Sequence, residues 1–343
     1  MKEKSVTSLD VAKLAGVSRP TVSLVLNNSK AVSLSEETKQ KVRNAARVLG
    51  YKPNSAALML RRGATNTVGL VITEGRSLQV DAFIPLLHYA IAGVMREAGY
   101  SLLLETFERK ENQNPYADLV VSHRIDGLLV LSPSTDDEDL KALIEQDYPV
   151  VLIGSTGHPR EHCVFTSTRE GTGAAASHIM DLGHRNIGCI PFSPPGFAAT
   201  DSRLRELREA LSAAGIALQD DAVFHGDFSA ESGHAATLAL MKAKPDTTAI
   251  FAGNDTIALG VIGALTSLGL SVPGDVSVVG YDDLPFSGYI APPLTTVGID
   301  ADKQGRMAAE MMVRRLRGEA IEETRLAMPS NFIARGSTGP VRR

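Results

Sequence analysis

Residues 7 to 28 read Thr7-Ser-Leu-Asp-Val-Ala-Lys-Leu-Ala-Gly-Val-Ser-Arg-Pro-Thr-Val-Ser-Leu-Val-Leu-Asn-Asn28. Two runs with apolar residues at helical spacing flank Gly16, which permits a tight turn. Thr7, with Asp10 three residues later, can cap the first helix, and Ser18 can cap the second. Pro20 suits a first helical turn. The stretch therefore predicts a helix-turn-helix, whose second helix has the size to enter the major groove of DNA.

A third helix follows the pair. Ser35 can cap it, Glu36 and Glu37 favour its positive end, and Gly50 can end it. Three short helices of this kind can close a small apolar core. The pattern alone also fits a packing module of three helices that has no role in DNA binding.

The charge distribution favours DNA binding. Residues 1–62 contain twelve Lys and Arg against four Asp and Glu, which gives an excess of eight positive charges. The whole chain carries −4, so residues 63–343 carry −12. A basic head on an acidic body predicts that only the head contacts a polyanion.

Several motifs in the chain resemble one family. Asp10-Val-Ala12, Ala15-Gly-Val-Ser18, Thr21-Val-Ser23 and Leu26-Asn27 are followed by Gly50-Tyr-Lys-Pro-Asn-Ser-Ala-Ala57, Val279-Gly-Tyr-Asp-Asp283 and Pro293-Leu-Thr-Thr-Val297. In this order they are similar to the LacI/GalR family of bacterial transcriptional regulators. The resemblance implies an all-α helix-turn-helix DNA-binding head over 1–62, with a hinge helix at about 53–62. It also implies an effector-binding and dimerisation core over 63–343.

Beyond residue 66, seven β-rich runs alternate with helical stretches, which predicts parallel sheets covered on both faces. The number of units favours two doubly wound α/β lobes, and the resemblance implies a periplasmic-binding-protein-like core. In the family the chain crosses between the lobes three times. We place the crossings near Thr166, Gly298 and Met328. Lobe 1 is then about 66–165 and 298–328, and lobe 2 is about 166–297 and 329–343.

Parallel α/β lobes bind ligands at the carboxyl ends of their strands. By the resemblance, Arg203, Asn254 and Asp282 hydrogen-bond a small effector and Phe228 supplies an aromatic wall. These groups suit a carbohydrate-like ligand. Arg203, at the start of its predicted helix, also fits a surface position.

The neighbours of these residues have simpler interpretations. We expect Asp255 to cap its helix and Asp283 to lie in a turn. The chain has Gly154 where many family members carry an acid, and Ser167-Thr168 where many carry Asp-Asn. We hypothesise that Glu74, after the first strand, supplies a carboxylate to the cleft; a solvated loop position is the alternative.

The resemblance also assigns the DNA contacts. Arg19, Pro20 and Leu24 correspond to the side chains that read bases: Arg19 suits a guanine, and the other two offer apolar contact. Hydroxyl and amide side chains suit phosphates: Thr7, Ser18, Thr21, Ser23 and Asn27.

The segment 53–62 is the second predicted DNA element. Its Ala, Leu and Met favour a helix that is too short to be stable alone. The family match covers Asn54, Ala56 and Ala57, and implies that Leu60 wedges into the minor groove beside its copy on a second subunit. A plain amphipathic linker is the alternative.

We expect a homodimer that reads near-palindromic double-stranded operator DNA. Cys163 and Cys189 lack metal spacing and the histidines are scattered, so we expect no enzyme, cofactor or metal site. A polar start and no apolar run of about 18 residues predict a cytoplasmic protein with no membrane partner. A solute-binding protein of the same core fold without a DNA role is the alternative. The basic head argues against it.

Overall fold

The structure is a computed structural model that describes residues 6–26, 34–51, 64–107 and 116–342. The chain divides into two compact units, a helical head that extends to Ala64 and a core that begins at Thr65.

The head contains α1 (Ser8–Ala15), α2 (Arg19–Leu26) and α3 (Glu36–Val48). Local signals define their ends. The Asp10 carboxylate accepts hydrogen bonds from the backbone N–H and the hydroxyl of Thr7, and Gly16 ends α1 with φ 65°. A small apolar core holds the helices together through Val11, Ala12, Val22, Val25, Val42, Ala45 and Ala46. The predicted helix-turn-helix head is confirmed.

Lobe 1 is built on a six-stranded parallel sheet in the order β10-β5-β4-β3-β1-β2. Its strands are β1 (Thr67–Ile72), β2 (Ser101–Thr106), β3 (Gly127–Leu131), β4 (Val150–Ile153), β5 (Cys163–Ser167) and β10 (Arg325–Pro329). Its helices are α4 (Gly75–Val80), α5 (Phe83–Ala98), α6 (Ala117–Val120), α7 (Glu138–Glu145) and α12 (Ala301–Leu316).

Lobe 2 is built on a five-stranded sheet in the order β11-β9-β8-β7-β6, in which β11 is antiparallel to β9. Its strands are β6 (Ile187–Ile190), β7 (Ala249–Ala252), β8 (Ser277–Asp282), β9 (Thr295–Gly298) and β11 (Asn331–Ile333). Its helices are α8 (Arg169–Asp181), α9 (Ala198–Ala213), α10 (Ala230–Ala243) and α11 (Asp255–Ser267). The two α/β lobes confirm the fold class predicted for the core.

The chain passes between the lobes three times: from Ser167 to Arg169, from Gly298 to Ala301, and from Pro329 to Asn331. Each passage is at most a few residues long. Three short connections of this kind allow two lobes to move as rigid bodies about a hinge.

Helices α10 and α11 of lobe 2 pack closely because glycines lie between them. A Cβ atom on Gly260 would lie 1.9 Å from the carbonyl oxygen of Ala230, which is backbone and cannot move aside locally. Gly263, one turn further along α11, has more space, since its nearest neighbour would be His234 Cδ2 at 3.8 Å.

We therefore expect Gly260→Ala to destabilise the core by about 1–3 kcal/mol, because the added methyl group overpacks the helix contact. The matched variant Gly263→Ala should raise stability by about 0.5–1 kcal/mol through the better helix propensity of alanine. Urea unfolding of both variants measures the difference. Equal stabilities would contradict the close packing of α10 on α11.

Candidate functional site

A cavity of about 370 Å³ lies between the two lobes, where the strands of both sheets have their carboxyl ends. All five residues predicted for the effector site line it: Glu74, Arg203, Phe228, Asn254 and Asp282. Lobe 1 contributes Glu74, and lobe 2 contributes the other four. The structure thus brings together residues that are up to 208 positions apart in the chain.

Arg203 is held rigidly in the wall of the cavity. Its Nη1 donates to the Gly253 carbonyl oxygen at 2.6 Å, and its Nη2 donates to Asp282 Oδ1 at 3.0 Å. The guanidinium carbon lies 3.8 Å from the centroid of the Tyr281 ring. Helix α9 begins at Ala198, so Arg203 lies in its second turn, and the predicted position at the helix start is wrong.

Asp282 is the last residue of β8 and is 5% exposed. Burial raises its pKa, and the neighbouring Arg203 guanidinium opposes that shift. Its φ of 100° is a strained value for a residue with a side chain, and such strain is common at binding sites.

Asn254, not Asp255, caps helix α11, so the predicted cap is corrected. Asn254 Oδ1 accepts a hydrogen bond from Ile257 N–H at 2.7 Å, while its buried Nδ2 has no hydrogen-bond partner among the described residues. That amide nitrogen is a donor available to a ligand.

Asp255 does not cap the helix and instead accepts hydrogen bonds from Leu284 N–H and the hydroxyls of Ser287 and Thr296. Burial raises its pKa to about 7.

The aromatic wall is larger than the sequence predicted. Phe228 is buried, and its ring centroid lies 5.4 Å from those of Phe192 and Phe197, both of which also line the cavity. Phe83 adds a fourth ring from lobe 1. Phe197 and Phe192 flank a loop with two prolines and a glycine, so only packing across that loop reveals them.

The acidic residues of the cavity include two that the sequence analysis missed. Glu74 caps α4, with its carboxylate 3.4 Å from Arg76 N, and is half-buried. Asp81 follows α4, and its carboxylate accepts a hydrogen bond from Phe83 N–H. Burial, followed by the charge of Asp282, raises the pKa of Asp81 to about 7. Glu206 accepts a hydrogen bond from the hydroxyl of Thr168.

Gly154 explains why an acidic side chain is missing at the end of β4. Its φ is 116°, and a Cβ atom there would lie 2.9 Å from Pro133 Cδ. Both the backbone angle and the proline disfavour a side chain at this position. Ser167 and Thr168 do line the cavity, as neutral hydroxyl groups.

In the head, α2 buries Val22 and Val25 and exposes Arg19 and Pro20, with Leu24 partly exposed. Arg19 Nε donates to Ser8 Oγ at 3.0 Å. The other predicted contact residues described here are exposed or half-exposed: Thr7, Ser18, Thr21 and Ser23. Asn27, Asn54, Ala56, Ala57 and Leu60 lie outside the described residues.

Other site types find no support in the described ranges. There, no group of three or more His, Cys, Asp and Glu side chains is placed to hold a metal ion. Among those same ranges, no helix has the length and apolar character to cross a membrane. Cys163 and Cys189 are buried, and neither forms a disulfide bond.

Known protein families match parts of both units of the chain. Residues 7–54 match the model of bacterial regulatory proteins of the lacI family, and residues 176–338 match that of a periplasmic binding protein-like domain. The chain is 35% identical over 331 residues to the HTH-type transcriptional regulator CelR of Thermobifida fusca. The aligned region covers 95% of this chain and 96% of that protein.

Two solved structures resemble this one over nearly its full length. A transcriptional regulator CelR–cellobiose complex has a TM-score of 0.73 and 34% identity, covering 97% of this chain and 99% of the other. The lac repressor dimer bound to operator and the anti-inducer ONPF has a TM-score of 0.85 and 31% identity, covering 98% and 100%. These relatives are transcriptional regulators rather than enzymes.

Proposed function

The chain belongs to the LacI family of bacterial regulatory proteins, and from that premise we propose that it is a transcriptional repressor controlled by a small carbohydrate-like effector. The effector binds between the core lobes and changes the affinity of the head for a near-palindromic operator. A DNA-binding regulator of this kind acts in the cytoplasm.

The composition of the cavity is the observation that carries the proposed effector class. One wall of aromatic rings faces polar groups of both kinds: the Asn254 amide as a donor and the Glu74, Asp81 and Asp282 carboxylates as acceptors. Rings pack against the C–H faces of sugars, while carboxylates and amides bind their hydroxyls. The CelR complex with cellobiose supports the same class.

The two lobes supply the coupling to DNA. An effector that binds one relative lobe position better than the other shifts the population of the two states. In the proposed mechanism that shift moves the segments around residues 53–62 of two subunits together or apart, with Asn54, Ala56, Ala57 and Leu60 at the operator. Coupling free energies of this kind are typically about 1–3 kcal/mol.

A homodimer fits this mechanism, because two heads are needed to read a near-palindrome. The core exposes large apolar side chains, with Tyr89 74% and Tyr289 91% exposed. A dimeric lac repressor is among the similar structures. The alternative, a solute-binding protein without a DNA role, does not account for the basic helix-turn-helix head.

A thermal-shift screen of neutral sugars and nucleobases, followed by operator binding measured by fluorescence anisotropy, tests the proposal. A true effector at 100 times its Kd stabilises the core by about 2.7 kcal/mol and changes operator affinity. A ligand that stabilises the core without any change in operator affinity would favour the solute-binding alternative.

The variant Asn254→Ser then locates the binding site. Serine keeps the cap on α11 but removes the amide donor, so we expect roughly a tenfold loss of effector affinity with little change in stability. Unchanged affinity would place the effector elsewhere.

The head gives a separate prediction. We propose that Arg19, Pro20 and Leu24 read bases, whereas Thr7, Ser18, Thr21, Ser23 and Asn27 position the head on phosphates. Arg19→Ala should lose about 1–3 kcal/mol of discrimination at one base pair per half-site, since arginine pairs with guanine through its two terminal nitrogens. Ser23→Ala should weaken binding to all sequences alike. Binding-site selection that returns the wild-type consensus for Arg19→Ala would contradict this assignment.

A further inference from the structure

Residues 74–84 of lobe 1, which we call the strap, reach across the cavity to lobe 2. Val80 and Phe83 pack against the apolar cluster of lobe 2, and Phe83 also packs against that of lobe 1. Glu74, Ser77, Asp81, Phe83 and Ile84 line the cavity. The strap therefore separates from lobe 2 when the cleft opens.

The outer end of the strap is attracted to lobe 2. Arg76 Nη2 lies 2.9 Å from Asp227 Oδ2, and the two side chains are 52% and 40% exposed. Asp227 also accepts hydrogen bonds from the N–H and hydroxyl of Ser229, which fix its carboxylate at the end of the loop before α10. Because water and salt screen this pair, it favours closing only weakly.

The inner end of the strap, at Asp81, is repelled by the negative charge of Asp282 in lobe 2. Asp81 and Asp282 line the same cavity from opposite lobes, and Asp81 lies between Val80 and Phe83, which pack against lobe 2. Burial, followed by the negative charge of Asp282, raises the pKa of Asp81. The Arg203 guanidinium, which is ion-paired with Asp282, offsets part of this repulsion, and its effect on the pKa of Asp81 is smaller than that of the Asp282 charge. Asp255 of α11 interacts with Asp282, and the further charged residues of the described chain that line the cavity are Glu74, Arg205 and Glu206.

We infer that the strap selects the charge of the effector: Asp81 opposes closing against Asp282, and a ligand that places hydrogen-bond donors or a positive charge between these carboxylates closes the cleft. Ligands that carry phosphate or carboxylate groups do not close it. This inference rests on the proposed effector cleft and narrows its ligands to neutral or amine-bearing compounds. Protonation of Asp81 has the same effect as such a ligand, because burial and the charge of Asp282 both disfavour its carboxylate in the closed cleft.

Fluorescence energy transfer between the lobes, without any ligand, tests whether the negative charge of Asp81 opposes closing. Val121→Cys in lobe 1 and Ala239→Cys in lobe 2 give two exposed labelling sites, while Cys163 and Cys189 are buried. Labelled chains are mixed with an excess of unlabelled chains. From pH 8 to pH 5.5 we expect the ratio of closed to open molecules to rise about tenfold, because the closed state binds a proton more tightly.

Asp81→Asn should remain closed at pH 8 and lose most of this pH dependence. The control Glu97→Gln, which removes an exposed carboxylate of the same lobe, should behave like the wild type. All three proteins contain the same histidines, so the differences isolate Asp81. Closure that does not depend on pH, or that depends on it equally in Asp81→Asn, would overturn the inference.

Two further arms complete the experiment. Arg76→Asp should shift the lobes towards the open state, and Asp227→Arg in the same chain should restore closing; no restoration would refute the role of the outer pair.

Ribose and cellobiose are compared with ribose 5-phosphate in the same assay, and closing by the phosphate ester would overturn the predicted ligand charge. If closing follows Asp81 while no sugar binds, the carbohydrate class fails and the strap inference stands.

Discussion

The buried ion pair between Arg203 and Asp282 is the contact on which the geometry of the cleft depends. Asp282 lies at the end of a buried strand, where an unpaired charge would be very unfavourable, and breaking such a pair typically costs about 3–5 kcal/mol. The same guanidinium binds the carbonyl of Gly253 after β7 and stacks on Tyr281. Arg203 of α9 thus contacts the ends of both β7 and β8, each of which carries a cavity residue.

Local signals made much of the fold predictable. The caps and turn of the head lie within a few residues of the helices that they define, so Thr7, Gly16 and Ser18 could be interpreted without tertiary information. Buried strands such as β3 and β4 appear as continuous apolar runs. The seven β-rich runs did not include β5, β9, β10 or β11. Only Met328 of the five residues of β10 is buried, and β11 has only three residues, none of them buried. Pairing with a neighbouring strand, rather than local pattern, defines these last two strands.

The candidate site was predictable where it follows from strand ends and unpredictable where it follows from packing. Asn254 and Asp282 come directly at the ends of apolar runs. Asp81 lies after a six-residue helix, and its importance depends on the opposite lobe. The cap of α11 was assigned to the wrong residue because Asn254 and Asp255 are both good caps. Hydrogen-bond donors 29 to 41 residues away along the chain bind Asp255 and leave the cap to Asn254.

The glycine at the end of β4 has an evolutionary consequence. Because Pro133 occupies the space that a side chain at position 154 needs, and the backbone there adopts φ 116°, a single substitution of Gly154 by an acidic residue is strained. An acid at position 154 would first require a change at Pro133 and in the loop around it. The order in which substitutions can be accepted at this edge of the cleft is thereby constrained.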